Sequence, residues 1–266
     1  MTTKSEPVGA VVKVFAILNA LAEHSPSSLA DLETQLAMPK STIYRFLQTM
    51  QSLGFVGQNP ETEQYFLTME LFHLGAQGLA SNNLVEQAHP LMQGLGDATG
   101  ETVHLGTLDI VQTTSQPQAH VIYIHKIESQ HSLRMSSYVG RRADIYSTAM
   151  GKILTAFGQR DEVIYAALSH QEFVQHTKHT LPDLAAFKEI IPTVKAEGVA
   201  FDQEENEENL MCIAAPVFNH LQVAIASISV SFPIFRSNEE IIARYQSELQ
   251  NAAAKLSGIL GYRQLS

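Results

Sequence analysis

Asp202, Cys212, Ser229 and Ser231 are the residues of this 266-residue chain whose types and settings suit chemistry inside an apolar surrounding. Ser229 and Ser231 alternate with Ile228, Val230 and Phe232, and residues two apart on a strand point to the same face. Two hydroxyls on one face could donate to a carboxylate or a carbinol; equally, they could be small residues packed beneath a helix. Asp202 follows the apolar run Val199-Ala200-Phe201, and Cys212 lies inside another, Leu210 to Phe218. No basic residue stands near Cys212 in sequence, so nothing argues for an activated thiolate. Eleven histidines invite a metal reading. His170, His176 and His179 fall in a polar segment without a carboxylate–histidine cluster at ligand spacing, and His104 and His125 are isolated on strands. Structural or surface roles are expected for them, with no metal site. Glu204, Glu205, Glu207 and Glu208 read as a solvated acidic loop. No P-loop, dinucleotide fingerprint or nucleophile elbow occurs, so neither a catalytic residue nor a cofactor is expected.

A second constellation lies near the N-terminus. From Ser28 to Thr68, Ser28 with Asp31 three residues on is a helix N-cap signature, and Leu29, Leu32 and Leu36 form an apolar row at helical spacing. Pro39 suits the first position of a second helix. In that helix Ile43, Phe46, Leu47, Met50 and Leu53 share the face to be buried. The other face presents Lys40, Ser41, Thr42, Tyr44, Arg45 and Gln48, whose hydroxyls, amide and cations can bond phosphates and base edges in a major groove. Gly54 ends the helix. Phe55-Val56 and Tyr65-Phe66-Leu67 read as two strands around a turn at Asn59-Pro60. Two helices and a hairpin spell a winged helix-turn-helix, with an ordinary helical pair and hairpin as the plainer alternative.

Charge tests that reading. The chain carries a net −10, whereas a nucleic-acid binder is expected to show a basic patch. Residues 1 to 69 hold Lys4, Lys13, Lys40 and Arg45 against Glu6, Glu23, Asp31, Glu33, Glu61 and Glu63, four minus six, or −2. Placement matters more than the sum: Lys40 and Arg45 sit on the proposed recognition helix, whose N-terminal amides add a positive end. Glu61 and Glu63 make the wing tip a poor DNA contact, so non-specific affinity should be modest.

Around these sites the pattern supports two modest domains. Val8 to Ala22 is a first helix with Val11, Val14, Phe15, Leu18 and Leu21 on one side, set to pack behind the motif and support dimer contacts. Met69 to Leu79 reads as a linker helix broken at Ser81-Asn82-Asn83, and Leu84 to Ala98 as a helix with Pro90 inside it. We expect a winged helix-turn-helix domain over residues 8–69, a linker helix over 70–83 and a larger domain over 84–266. In the larger domain, strands at Val103–Leu108, Val121–Ile127, Leu133–Val139, Val199–Phe201, Leu210–Phe218 and Val223–Phe232 alternate with helices at Ser147–Phe157, Glu162–Leu168, Leu184–Glu197 and Asn238–Leu260. The segment VQTTSQPQAH between the first two strands reads as a surface loop. The fold class is α/β (α+β), a central sheet flanked by helices. No apolar run approaches the ~20 residues that cross a bilayer, and one cysteine excludes an internal disulfide framework. A cytoplasmic setting follows.

The run MPKSTIYRFLQTMQSLGFV closely resembles the IclR family of bacterial transcription regulators, in particular its pectin-degradation (2-keto-3-deoxygluconate) repressor branch. TVHLGTLD, VIYIHKIES, LRMSSYVGRRADIYSTAMGK, DQEENEENLMCIAAPVF and AIASISVSFP also have counterparts there, so the likeness spans about Val8 to Tyr262. The resemblance implies a GAF-like effector-binding domain and a repressor released from double-stranded operator DNA by a small sugar acid or oxo-acid. It implies an effector site at Asp202, Cys212, Ser229 and Ser231, with the start of the helix in STAMGK binding the ligand carboxylate. Ala149, Met150 and Gly151 would supply amides there, Gly151 also allowing close backbone approach. Leu133 would line the pocket; Arg134 would pair with the carboxylate or else snorkel to the surface. Lys152 is expected to pack or face solvent. The family often has glycine before the Leu-x-Cys run; Asn209 stands there and tolerates the left-handed conformation. A homodimer through the first and linker helices, or a tetramer through the effector domains, is expected. The rival reading is an enzyme converting a small oxo-acid, its N-terminal domain an assembly module.

Overall fold

The computed structural model describes residues 8–80, 84–112, 117–132 and 137–263. The chain divides into two compact units, Met1–Asn82 and Asn83–Ser266.

The first unit is built on α1 (Gly9–Glu23), α2 (Leu29–Leu36) and α3 (Lys40–Ser52), followed by β1 (Val56–Gln58), β2 (Tyr65–Leu67) and α4 (Met69–Ala80). A reciprocal capping box starts α2: the Ser28 hydroxyl accepts the Asp31 N–H and the Asp31 carboxylate accepts the Ser28 N–H. Pro39 is the N-cap of α3 rather than its first helical residue. Gly54, at φ +83°, turns the chain out of α3 into the antiparallel hairpin, whose Asn59 side chain accepts the N–H groups of Glu61 and Thr62. Ile17, Leu21, Leu32, Ile43, Leu47, Met50, Val56 and Tyr65 form the core.

Two expected apolar rows divide on inspection. On α1 the buried residues are Ile17, Ala20 and Leu21, with Val14 and Leu18 half-buried, whereas Val11 and Phe15 face outward with Val8 and Val12. Leu53, expected on the buried face of α3, is its C-cap and is exposed, because the helix ends before that turn reaches the core. Met69, Phe72 and Leu74 of α4 are exposed as well.

The second unit is a six-stranded sheet with helices on both faces. Its elements are α5 (Leu84–Thr99), β3 (Thr102–Gln112), β4 (Pro117–Ile127), β5 (Arg142–Asp144), α6 (Ala149–Phe157), α7 (Asp161–Leu168), α8 (Leu184–Glu197), β6 (Ala200–Gln203), β7 (Leu210–Phe218), β8 (Ala224–Pro233) and α9 (Glu239–Ile259). The strand order is β5-β4-β3-β8-β7-β6 with every pair antiparallel, which makes the unit α+β. On one face Val103, Leu105, Ile213, Val230 and Phe232 pack under Leu249 and Leu256 of α9. On the other, Val121, Ala214, Met150, Ile153 and Phe187 join the sheet to α6 and α8. Central strand β8 is therefore buried on both sides from Ala226 to Pro233.

Several expected boundaries move. The segment read as a loop after β3 is largely strand: β3 runs to Gln112 and β4 starts at Pro117, because a hairpin ladder accepts polar residues on a solvated end. Residues 133–136, including Leu133 and Arg134, and the break at 81–83 lie outside the described residues. Ser137–Gly140 are not strand, and one of the two edge strands is β5, which begins where a turn was expected. Asp202 lies inside β6, paired with Cys212, rather than after it.

Candidate functional site

Register brings the polar residues together. Asp202 of β6 pairs with Cys212 of β7, Cys212 with Ser231 of β8, and Ser231 with Thr102 of β3, so a polar row crosses four strands on the α6 side. Two residues along, Ala214 pairs with Ser229 and Ser229 with His104. Ser229, Ser231 and Asp202 are each buried. Ser231 donates from Oγ to Cys212 Sγ at 3.1 Å, and Asp202 Oδ1 accepts the N–H groups of Glu205 at 2.7 Å and Asn206 at 3.3 Å.

Helix α6 closes over this row. Thr148 is its N-cap, and its hydroxyl accepts the Gly151 N–H at 3.2 Å while donating to Asp144 O at 2.7 Å. This corrects one expectation: the Gly151 amide is occupied, which leaves those of Ala149 and Met150 unpaired among the described residues. Glycine at 151 serves a different close approach. A Cβ there would lie 2.1 Å from the Ile145 carbonyl oxygen, so the start of α6 presses on its own preceding turn. Lys152 takes the packed of its two expected settings, and Glu205 departs from the solvated loop expected of it. Both are buried and ion-paired to each other, and Lys152 Nζ also donates to Phe201 O at 2.6 Å. That pair ties α6 to the end of β6. The acidic run is thus only partly solvated, and Asn209 in it does take the left-handed conformation, φ 61°.

Ala149, Met150, Asp202, Cys212, Ser229 and Ser231 line one narrow cavity of about 10 Å³, room for a single water molecule. Tyr123, Thr148 and Asn206 complete it. Sequence reasoning missed these three, although Tyr123 interrupts an otherwise apolar strand and so carried a signal. Among the described residues the lining holds no lysine, arginine or histidine and offers amides and hydroxyls as its donors. A keto acid enters only if the lining moves apart.

Burial sets the protonation states. The Asp202 carboxyl is pushed up to about 7, chiefly by desolvation and opposed by the Glu205 N–H it accepts. The Cys212 thiol is driven well above its ordinary value by burial, which makes it a weak S–H donor and no nucleophile. Beside Ser229, His104 is fully enclosed: its Nε2 lies 2.7 Å from Ser137 Oγ and its ring stacks on Tyr123 at 4.7 Å. Desolvation, then the charges of Lys126 and Arg141, lower it to about 3, so it is a neutral structural residue.

In the first unit, α3 exposes Lys40, Ser41, Tyr44, Arg45 and Gln48, with Thr42 half-buried. Gln48 donates to the Tyr44 hydroxyl at 2.6 Å, and Lys40 is 3.4 Å from Glu33. Among the described residues Arg45 has no ion-pair partner, which makes it the freest cation of this helix.

Comparison with known proteins places both units in one family. Residues 10–60 match the IclR helix-turn-helix domain, and residues 76–258 match the domain described as bacterial transcriptional regulator IclR C-terminal. The chain is 43% identical over 257 residues to the HTH-type transcriptional regulator KdgR of Escherichia coli, spanning 97% of this chain and 94% of that protein. Among solved structures, the C-terminal domain of the E. coli transcriptional regulator KdgR is 39% identical with a TM-score of 0.59, over 68% of this chain and 99% of that one. The Thermotoga maritima IclR is 28% identical with a TM-score of 0.74, over 96% of this chain and 100% of that one.

Asp202 and His104 should oppose each other in pH dependence. Asp202, raised from 3.8 to about 7, holds a proton in the folded state that the unfolded chain gives up, so its contribution falls as pH rises through that window. His104, lowered from 6.5 to about 3, refuses a proton that the unfolded chain takes, so its contribution grows as pH rises to 6.5. Relative to the parent, the melting temperature of Asp202→Asn should climb from pH 4 to 6.5, and that of His104→Asn should fall. Scanning calorimetry across that range checks this; curves parallel to the parent's for both variants would refute the two protonation states.

Proposed function

The chain belongs to the IclR family of bacterial transcriptional regulators, and from that membership we propose that it represses genes of pectin and hexuronate catabolism until 2-keto-3-deoxygluconate releases it from its operator. It is a regulator, not the oxo-acid-converting enzyme that the same polar residues would also suit. The observation that carries the finer reading is the assembly, in one buried cavity at the start of α6, of the residue types that a 2-keto acid needs. The amides of Ala149 and Met150 with Ser229 supply donors for the carboxylate and keto oxygens, and Ser231 joins them once its hydroxyl turns from Cys212 Sγ. Asp202 supplies an acceptor for hydroxyls while ionised and a donor while protonated. Likeness to KdgR over nearly the whole chain supports the choice of sugar acid.

In this reading residues 8–69 are the DNA-reading head, 70–83 the linker and 84–266 the effector domain. Lys40, Ser41, Thr42, Tyr44, Arg45 and Gln48 are the groups offered to the major groove. The effector binds one arrangement of the protein better than another, and that difference in affinity is the coupling that loosens the operator. The work is done in the cytoplasm, where operator and metabolite meet.

The exposed stripe Val8, Val11, Val12 and Phe15 on α1, and Met69 and Phe72 on α4, supports a homodimer through these helices, since so many large apolar side chains on one small unit call for a partner. The effector domains offer a second route, to a tetramer.

Three outcomes are expected. Arg45→Ala, a change on an exposed position, should lose operator affinity by roughly 1–3 kcal/mol per head while the melting temperature holds. An unaltered gel-shift titration would remove Arg45 from the interface. Light scattering at micromolar concentration should give at least twice the 29.3 kDa chain mass, and a monomer would refute the dimer. In calorimetry the parent should bind 2-keto-3-deoxygluconate, Asp202→Ala more weakly, and Ser229→Ala with Ser231→Ala more weakly still, because a buried carboxylate left without donors is costly. If neither this acid nor pyruvate binds the parent, the effector assignment fails; variants binding as tightly as the parent would put the pocket elsewhere.

A further inference from the structure

We propose that a second cavity, which shares Ser231 with the candidate effector site, reads the hydroxylated far end of the effector and rejects a second carboxylate there. The proposal deepens the sugar-acid reading of the inner site and rests on it. The outer cavity, of about 120 Å³, lies at the end of the sheet where β3 and β7 begin and β8 ends. Ser231 lines both spaces, so the two are neighbours across one side chain. Thr102 pairs with Ser231, and Leu210 pairs with Pro233 two residues further along β8. All four residues therefore share the face that carries Cys212 and Asp202. Two residues along a strand advance roughly 6.6 Å, so the outer cavity begins about one such step from the serine pair.

The two linings differ in chemistry. The inner one, at about 10 Å³, takes the acid end only once its lining moves apart, and it leaves the rest of the chain to the outer space. The outer one adds Glu207 and Glu208, both exposed, whose carboxylates make no ion pair or hydrogen bond among the described residues. Ionised carboxylates only accept, and alcohol groups donate, so this rim suits the carbinols of a sugar chain. Arg236 also lines the space, but it is committed to buried Glu101 by two hydrogen bonds, Nε to Oε1 at 2.9 Å and Nη2 to Oε2 at 2.8 Å. Three carboxylates against one guanidinium leave the lining net negative. A second carboxylate on the ligand would meet like charge, which raises its cost. Phe235, 73% exposed, offers an apolar surface to the C–H edges of the chain. The pair of cavities thus selects for a long mono-acid: a three-carbon acid leaves the outer space unused, and a six-carbon di-acid is repelled from it.

Calorimetry on the full chain with 2-keto-3-deoxygluconate, pyruvate and a six-carbon keto acid carrying carboxylates at both ends tests this. The parent should bind the sugar acid tightest. Glu207→Ala with Glu208→Ala, at two exposed positions, should weaken the sugar acid about tenfold, leave pyruvate unchanged and strengthen the di-acid. Equal shifts for sugar acid and pyruvate, or no shift, would overturn the outer subsite while the inner site stands. So would a parent that binds pyruvate as tightly as the sugar acid. A parent that binds none of the three sinks the inner reading, and the outer one with it.

Discussion

The antiparallel register of β6, β7 and β8 is the constraint on which the effector-side chemistry depends. Asp202, Cys212 and Ser231 meet only because each is directly opposite the next. Side chains alternate faces along a strand, so a slip of one residue would turn all three to the side of the sheet that packs on α5 and α9. Hydroxyls, a thiol and a carboxyl would then replace Ile213 and Val230 in an apolar core. Their burial without partners would cost several kcal/mol. Register is thereby specified by the same residues that it assembles.

Helix α6 depends on that sheet in turn. Its first turn lies over the polar row, and two features hold it there. One is glycine at 151, where any side chain would strike the Ile145 backbone. The other is the buried pair of Lys152 and Glu205, which joins the helix to the segment after β6. A buried ion pair is a poor source of net stability, since desolvating both charges offsets most of their attraction. Its value here is positional: it fixes where α6 starts, and so where the amides of Ala149 and Met150 point. The neighbouring loop is held in the same way, with the Thr180 hydroxyl donating to Glu205 O at 2.6 Å.

Charge is handled differently in the two units. The chain is acidic overall, and α3, the helix proposed to read DNA, carries just Lys40 and Arg45, of which Lys40 already faces Glu33. Attraction to phosphate is accordingly modest, so specificity has to come from close contacts by α3 rather than from a long-range field. In the effector domain the cavity has no cation among its described lining residues, and its polar groups are dipoles and one carboxyl near neutrality. For the anionic effector proposed here, such donors are set in place beforehand, a cheaper arrangement than burying a fixed positive charge.

Local signals were legible in the sequence wherever the deciding interaction is itself local. The capping box at Ser28 and Asp31, the apolar row of α3, the stop at Gly54 and the span of α8 each depend on residues within a turn or two. The period-2 pattern put Ser229 and Ser231 on one face, residue type and setting singled out Asp202 and Cys212, and family likeness joined the four into one site. Contacts between distant segments decided the rest. Nothing near Glu205 says that a lysine 53 residues earlier buries it. Tyr123 and Asn206 reach the cavity only through strand order and loop closure, Leu53 was left outside by the end of α3, and Phe15 lies on the exposed side of α1. Periodicity states which residues share a face; only the packed fold states what that face meets.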